Sequence, residues 1–188
     1  MNYIELFDKH AIISKLPLKV GNKELTSSMK AKVLLMKVQY NGIIESFEKE
    51  MQEALSELKK DYPEFDKQAA DIEKMRHIDE KMKAYKEYKG DKESKPSKPS
   101  EEELKEAEKI RETETEFNNA NKKLTKEYID TRMEKLKEEV SLKEKKFSFD
   151  EYTSIIELIG DTEVEINGQK LPAENFLSMI GSLFVEWD

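Results

Sequence analysis

The sequence predicts a mainly α protein: an elongated antiparallel helical hairpin of coiled-coil type carrying a small α+β head, with one β-hairpin, at its C-terminal end. Three observations lead there. Apolar residues recur at steps of three and four over long stretches, in a chain of 37% hydrophobic and 39% charged residues. Residues 90–100 contain no apolar side chain and separate two of those stretches. The formal net charge of −8 lies wholly in residues 147–188, where nine carboxylates face a single base, Lys170, and 19 of the 42 residues are apolar. Residues 1–146 hold 32 basic and 32 acidic groups and cancel. The expected organisation follows. Residues 1–25 form an N-terminal helix and extended segment near the head, 26–146 a charge-mixed helical hairpin, and 147–188 the acidic, apolar head.

Residues 3–16 read as a short helix with one apolar face, interrupted by Pro17. Leu16 to Val20 reads as extended, because a residue before proline avoids the α region, and Gly21-Asn22 marks a turn. Thr26-Ser27-Ser28 supplies N-caps for a long helix. Its seam runs through Met29, Val33, Met36, Tyr40, Ile43/Ile44, Phe47, Met51, Ala54 and Leu58, and Pro63 ends it. A second helix over about 65–88 places Phe65, Ala69, Ile72, Met75, Ile78, Met82 and Tyr85 on a stripe that drifts around it.

The polar residues 90–100 form a solvated linker at the hairpin tip. Ser100 and Glu103 then make a capping box. A third helix is expected over about 101–142, with a seam that is thin through Leu104, Ala107 and Ile110. The seam thickens through Phe117, Ala120, Leu124, Tyr128/Ile129, Met133, Leu136 and Val140. In the head, Ser148 and Glu151 form another capping box before a helix carrying Tyr152, Ile155, Ile156 and Ile159, stopped by Gly160. Residues 162–166 alternate polar and apolar, and Asn167-Gly168 is a strong hairpin signal. Pro172 opens the last helix. Apolar residues cover more than half of its circumference, so it either inserts among the long helices or meets another chain.

The chemistry is sparse. There is no cysteine, which excludes disulfides and thiolate metal sites. The two histidines, His10 and His77, have no metal-ligand spacing and read as surface or boundary residues. No glycine-rich phosphate loop or nucleophile motif occurs, so no catalytic, cofactor-binding or metal-binding residue is expected, and no enzyme. Asp161 to Gly168 lacks the ladder of a calcium loop. The net acidity excludes a general nucleic-acid binder. No stretch approaches the ~20 apolar residues of a membrane span, so no membrane partner is expected. The N-terminus has no basic n-region or long apolar run, so no signal peptide is expected. The expected location is the cytoplasm of the producing cell, or a virion.

The Leu16-Pro17-Leu18-Lys19-Val20 entry and residues 147–158, with the order of elements between them, resemble small phage- and prophage-encoded helical proteins, some encoded near structural genes. The resemblance implies a non-enzymatic phage protein of structural or assembly type and carries no catalytic residues with it. The expected function is protein–protein interaction, with Phe176, Ile180, Phe184 and Trp187 as anchors on a protein partner or on a second copy. The alternative is a small soluble regulator or inhibitor of a host or defence protein, whose acidic head docks on a basic surface.

Overall fold

The computed structural model describes residues 1–90, 95–166 and 168–187. The elements are α1 (Tyr3–Lys15), β1 (Lys19–Val20), β2 (Lys23–Glu24), α2 (Ser27–Leu58), a 3-10 turn (Lys59–Asp61), α3 (Phe65–Glu87), α4 (Glu101–Leu136), α5 (Phe149–Ile159), β3 (Val164–Ile166), β4 (Gln169–Leu171) and α6 (Ala173–Phe184). The chain is mainly α, as its periodicity predicts. It divides into two units: Met1–Met51 with Arg132–Asp188, and Gln52–Thr131. This division into units differs from the expected boundaries at 25/26 and 146/147. The start of α2 and the end of α4 belong with the head.

The second unit contains the expected helical hairpin. Phe65 of α3 meets Phe117 of α4 at a ring separation of 5.2 Å, and further along α3, Lys81 reaches back to Glu103 at 3.0 Å, so the two helices run antiparallel. Ile72, Met75 and Ile78 pack against Ala107, Ile110 and Phe117. These are the apolar steps read from the sequence. Ser100 caps α4 as expected, with its hydroxyl accepting from the Glu103 N–H at 3.1 Å. Of the polar linker, residues 91–94 lie outside the described residues.

The first unit is built around one core shared by sequence-distant segments. Leu6, Ile13 and Leu16 from the N-terminal segment meet Met29, Val33, Met36 and Tyr40 of α2. Ile155 and Ile159 of α5 and Phe176, Ile180 and Phe184 of α6 pack into the same core. Asn2 caps α1 through a capping box with Glu5. Ser148 and Glu151 cap α5, and Gly160 stops it at φ 53, a left-handed conformation that glycine adopts without strain. The β3–β4 hairpin forms in the expected place with Val164 opposite Leu171, and Gly168 takes φ 77. Asn167, the other half of that turn signal, lies outside the described residues.

Three features depart from the sequence reading. The Gly21-Asn22 turn closes a second short hairpin, β1–β2, with Lys19 opposite Glu24. Helix α4 ends at Leu136 rather than near Leu142. Beyond it the chain is extended, and Val140 donates its N–H to the Met1 carbonyl at 2.7 Å. Val140, Leu142 and Glu144 face inward while Ser141, Lys143 and Lys145 are exposed, the period of two that belongs to an extended segment. Within the predicted thick part of the α4 seam, Phe117 and Leu124 are buried and Tyr128 is half-buried, but Ile129 and Met133 are exposed.

Candidate interaction surface

Three of the four anchors expected from the sequence are core. Phe176 and Ile180 are 0% exposed and Phe184 is 1% exposed, so none can meet a partner while the first unit is folded. The reason is physical. The broad apolar face of α6 is covered by α1, α5 and α2, and Phe184 packs edge-on to Tyr40 at 6.5 Å. The helix is buried within the chain, but mainly against the short helices α1 and α5, with α2 the long helix in the same core, rather than between the long helices as expected. Trp187, by contrast, is 59% exposed.

Trp187 is not isolated. After α6 the chain becomes extended, and Val185 forms a parallel bridge with Phe147. Phe147 donates to the Phe184 carbonyl at 2.7 Å, and Glu186 donates to the Phe147 carbonyl at 3.0 Å. Because the bridge is parallel, the chain leaving α6 runs alongside the chain entering α5. That brings Trp187 beside the first turn of α5, 6.1 Å from the Phe149 ring and 5.8 Å from the Tyr152 ring. Phe149 and Tyr152 are three residues apart on a helix and therefore share a face. Phe149 is 62% exposed.

Local chemistry fixes these rings. The Trp187 indole N–H donates to the Gly181 carbonyl at 3.1 Å, and the Tyr152 hydroxyl donates to the Leu177 carbonyl at 2.8 Å. Burial pushes the Tyr152 phenol up, which keeps it a neutral donor. Gly181 permits the approach: a Cβ there would sit 2.9 Å from the Tyr152 hydroxyl oxygen and 3.5 Å from Trp187 Cζ2. The polar edges of both rings are thus satisfied within the chain, and apolar ring surface remains outward. The sequence reading missed Phe149, whose neighbour two residues back, Phe147, is buried. Its position just after the Ser148 cap was the available signal.

The same helix start carries the charged tie between α5 and α2. Lys32 Nζ lies 2.5 Å from Glu151 Oε2, and the same carboxylate accepts from the Ser148 N–H at 2.9 Å. Burial pushes the Glu151 carboxyl up, but the Lys32 and Ser148 hydrogen bonds outweigh it and hold the group below the usual carboxylate range. A depressed folded-state pKa adds stability that is present above the unfolded value, about 4.3, and is lost as pH falls through the folded value. The urea midpoint of the first unit is expected to drop over that acidic window. Glu151→Gln should flatten part of the drop, and superimposable pH profiles would contradict this.

Elsewhere in the first unit, Glu144 Oε1 accepts from Lys9 at 2.6 Å and from the Tyr40 hydroxyl at 2.9 Å, joining α1, α2 and the segment before α5. Burial foremost, and then Glu144, push the Tyr40 phenol far above its ordinary range, so it acts as a fixed donor. Among the three lysines of Lys143-Glu144-Lys145-Lys146, Glu144 is thus a structural carboxylate. A cleft of about 480 Å³ between β2 and α5 is lined by Lys23, Leu25, Ser154 and Glu157, with the Lys23 ammonium on the Glu157 carbonyl at 3.1 Å. His10 is half-buried and His77 exposed. Among the described residues no group of three or more His, Cys, Asp or Glu side chains could hold a metal ion. Among them, too, no helix is long and apolar enough to cross a membrane.

A second apolar exposure lies on α2, at Leu34, Leu35 and Val38. It is the outward side of the Val33-Leu34-Leu35-Met36 run, whose ends, Val33 and Met36, face the core. Comparison with family models, curated proteins and solved structures found no match.

Proposed function

We propose that this chain is a non-enzymatic protein–protein interaction and structural protein, a component of a bacteriophage virion or of its assembly. The Phe149–Tyr152–Trp187 face of the first unit makes the contact. The observation that carries the reading is the pair of large aromatic side chains, Phe149 and Trp187, held against each other yet more than half exposed. Ordered, exposed aromatics concentrate at protein interfaces, where they supply contact area at little entropic cost. Placement in a virion or its assembly is supported by the resemblance carried by Leu16 to Val20 and residues 147–158. The partner is another protein or a second copy.

A second reading has its own support. Asp150, Glu157, Asp161, Glu165, Glu174 and Glu186 are exposed carboxylates of the head, which suits a small regulator or inhibitor docking on a basic surface of a host or defence protein.

Capture from the producing cell tests the interaction reading. Immobilised wild type and a Phe149→Ser/Trp187→Ser variant are compared by mass spectrometry of the proteins retained. The expected result is a stoichiometric partner, or the chain itself, held by the wild type and lost with the variant. Identical retained sets would contradict the assignment of the face. A virion or assembly protein among the retained set favours the first reading, and a host or defence protein the second.

A further inference from the structure

Lysine and arginine side chains of this chain stack on its own aromatic rings repeatedly. Arg132 lies 5.0 Å from the centre of the Phe47 ring, Lys32 5.5 Å from Phe147, and Lys95 3.8 Å from Tyr85. Lys135 over Tyr3 and Lys123 over Tyr62 repeat the arrangement. Among the described residues no such cation lies on Phe149, Tyr152 or Trp187. These three rings sit in the segment whose single base is Lys170, and Lys170 lies 3.9 Å from Glu163. A carboxylate adjoins each of the two exposed rings in the chain: Asp150 follows Phe149, and Glu186 precedes Trp187. Both are exposed, and among the described residues neither side chain takes part in an ion pair.

We infer that the Phe149–Tyr152–Trp187 face takes an arginine- or lysine-bearing segment of a partner protein, with the cation seated over the Trp187 and Phe149 rings and neighbouring bases paired with Asp150 and Glu186. This rests on the interaction reading above and gives its partner a chemistry. Three properties converge on it. The negative faces of aromatic rings attract cations, tryptophan most strongly. The carboxylates on either side add complementary charge and repel an acidic surface, including nucleic acid. The Trp187 and Tyr152 rings are already held by the Gly181 and Leu177 carbonyls, so binding orders little of them that is not already ordered.

Trp187 is the chain's single tryptophan, so its emission reports this face alone. The probe is a short peptide of alternating arginine and alanine, titrated into the full chain, with the same peptide carrying glutamate in place of arginine as the control. The expected result is a saturable change in Trp187 emission with the arginine peptide and none with the glutamate peptide. The apparent Kd should rise with added salt. Phe149→Ala should weaken binding by about tenfold, and the pair Asp150→Asn with Glu186→Gln by a similar factor. All of these variants alter exposed side chains, and an unchanged thermal melt confirms that each is folded. An unchanged emission, an equal response to the glutamate peptide, or full affinity in all variants overturns the inference. If the peptide fails while the Phe149→Ser/Trp187→Ser chain still loses the protein that the wild type retains, the cationic chemistry is wrong and the interaction reading stands. If the peptide fails and the retained sets are identical, both are wrong.

Discussion

A chain ending at Phe147 is expected not to fold its first unit. Ten of the 19 buried side chains of that core come from residues 147–185, and nine of those ten lie beyond Phe147. Two of the lost residues are Phe176 and Phe184, and removing either ring alone from a packed core costs about 3–5 kcal/mol. A whole domain is stable by only about 5–15 kcal/mol, so losing both, with Ile155, Ile159 and Ile180, exceeds the margin. The remaining residues do not re-form a smaller core, because Leu6, Ile13, Met36 and Tyr40 would be left facing water. Hydrogen exchange on the truncated chain checks this. The amides of α1 and of the first turns of α2 should lose protection, whereas retained protection there would mean that the head is a separable module. The acidic C-terminal stretch is then a structural half of the unit as well as its charged surface.

The last helix and the residues after it should divide sharply between stability and binding. Phe184→Ala is expected to destabilise the first unit by about 3–5 kcal/mol, lowering its melting temperature by about 10 °C or more. Phe184 fills the space against Tyr40, and its carbonyl accepts the Phe147 N–H, so a cavity there also loosens the bridge that places Trp187. Trp187→Ala, three residues on, should stay within about 1 kcal/mol of wild type, because most of its ring is already in water. Calorimetry on the two variants separates them. Similar melting temperatures for both would contradict the division between core and contact face.

The comparison of these two residues shows what the sequence could say. Helical periodicity reveals that α6 has a broad apolar face, and the capping box at Ser148 and Glu151 locates α5 to the residue. Neither reveals what covers that face. Besides α5, the covering side chains come from α1 and α2, more than a hundred residues away, and only the folded chain brings them together. The same limit explains Phe149. A phenylalanine at the first helical position looks like its buried neighbour Phe147 until the parallel bridge to Val185 sends one inward and leaves the other out. The misplaced end of α4 is different, because its signal was present. Val140, Leu142 and Glu144 alternate with Ser141, Lys143 and Lys145, but Val140 also fits a helical step from Leu136, and the helical period prevailed in the reading. On α2, four consecutive apolar residues at 33–36 exceed what one buried stripe can use, so the outward Leu34 and Leu35 were legible as a surplus.

Under the proposed function, the Phe149–Tyr152–Trp187 face is where this protein meets its partner. Acrylamide quenching of Trp187 tests it most directly, measured on the free chain and on the complex with the protein retained in capture. The indole is expected to be readily quenched in the free chain and strongly protected in the complex. Equal quenching in both would place the contact elsewhere on the chain and overturn the proposed role of this face.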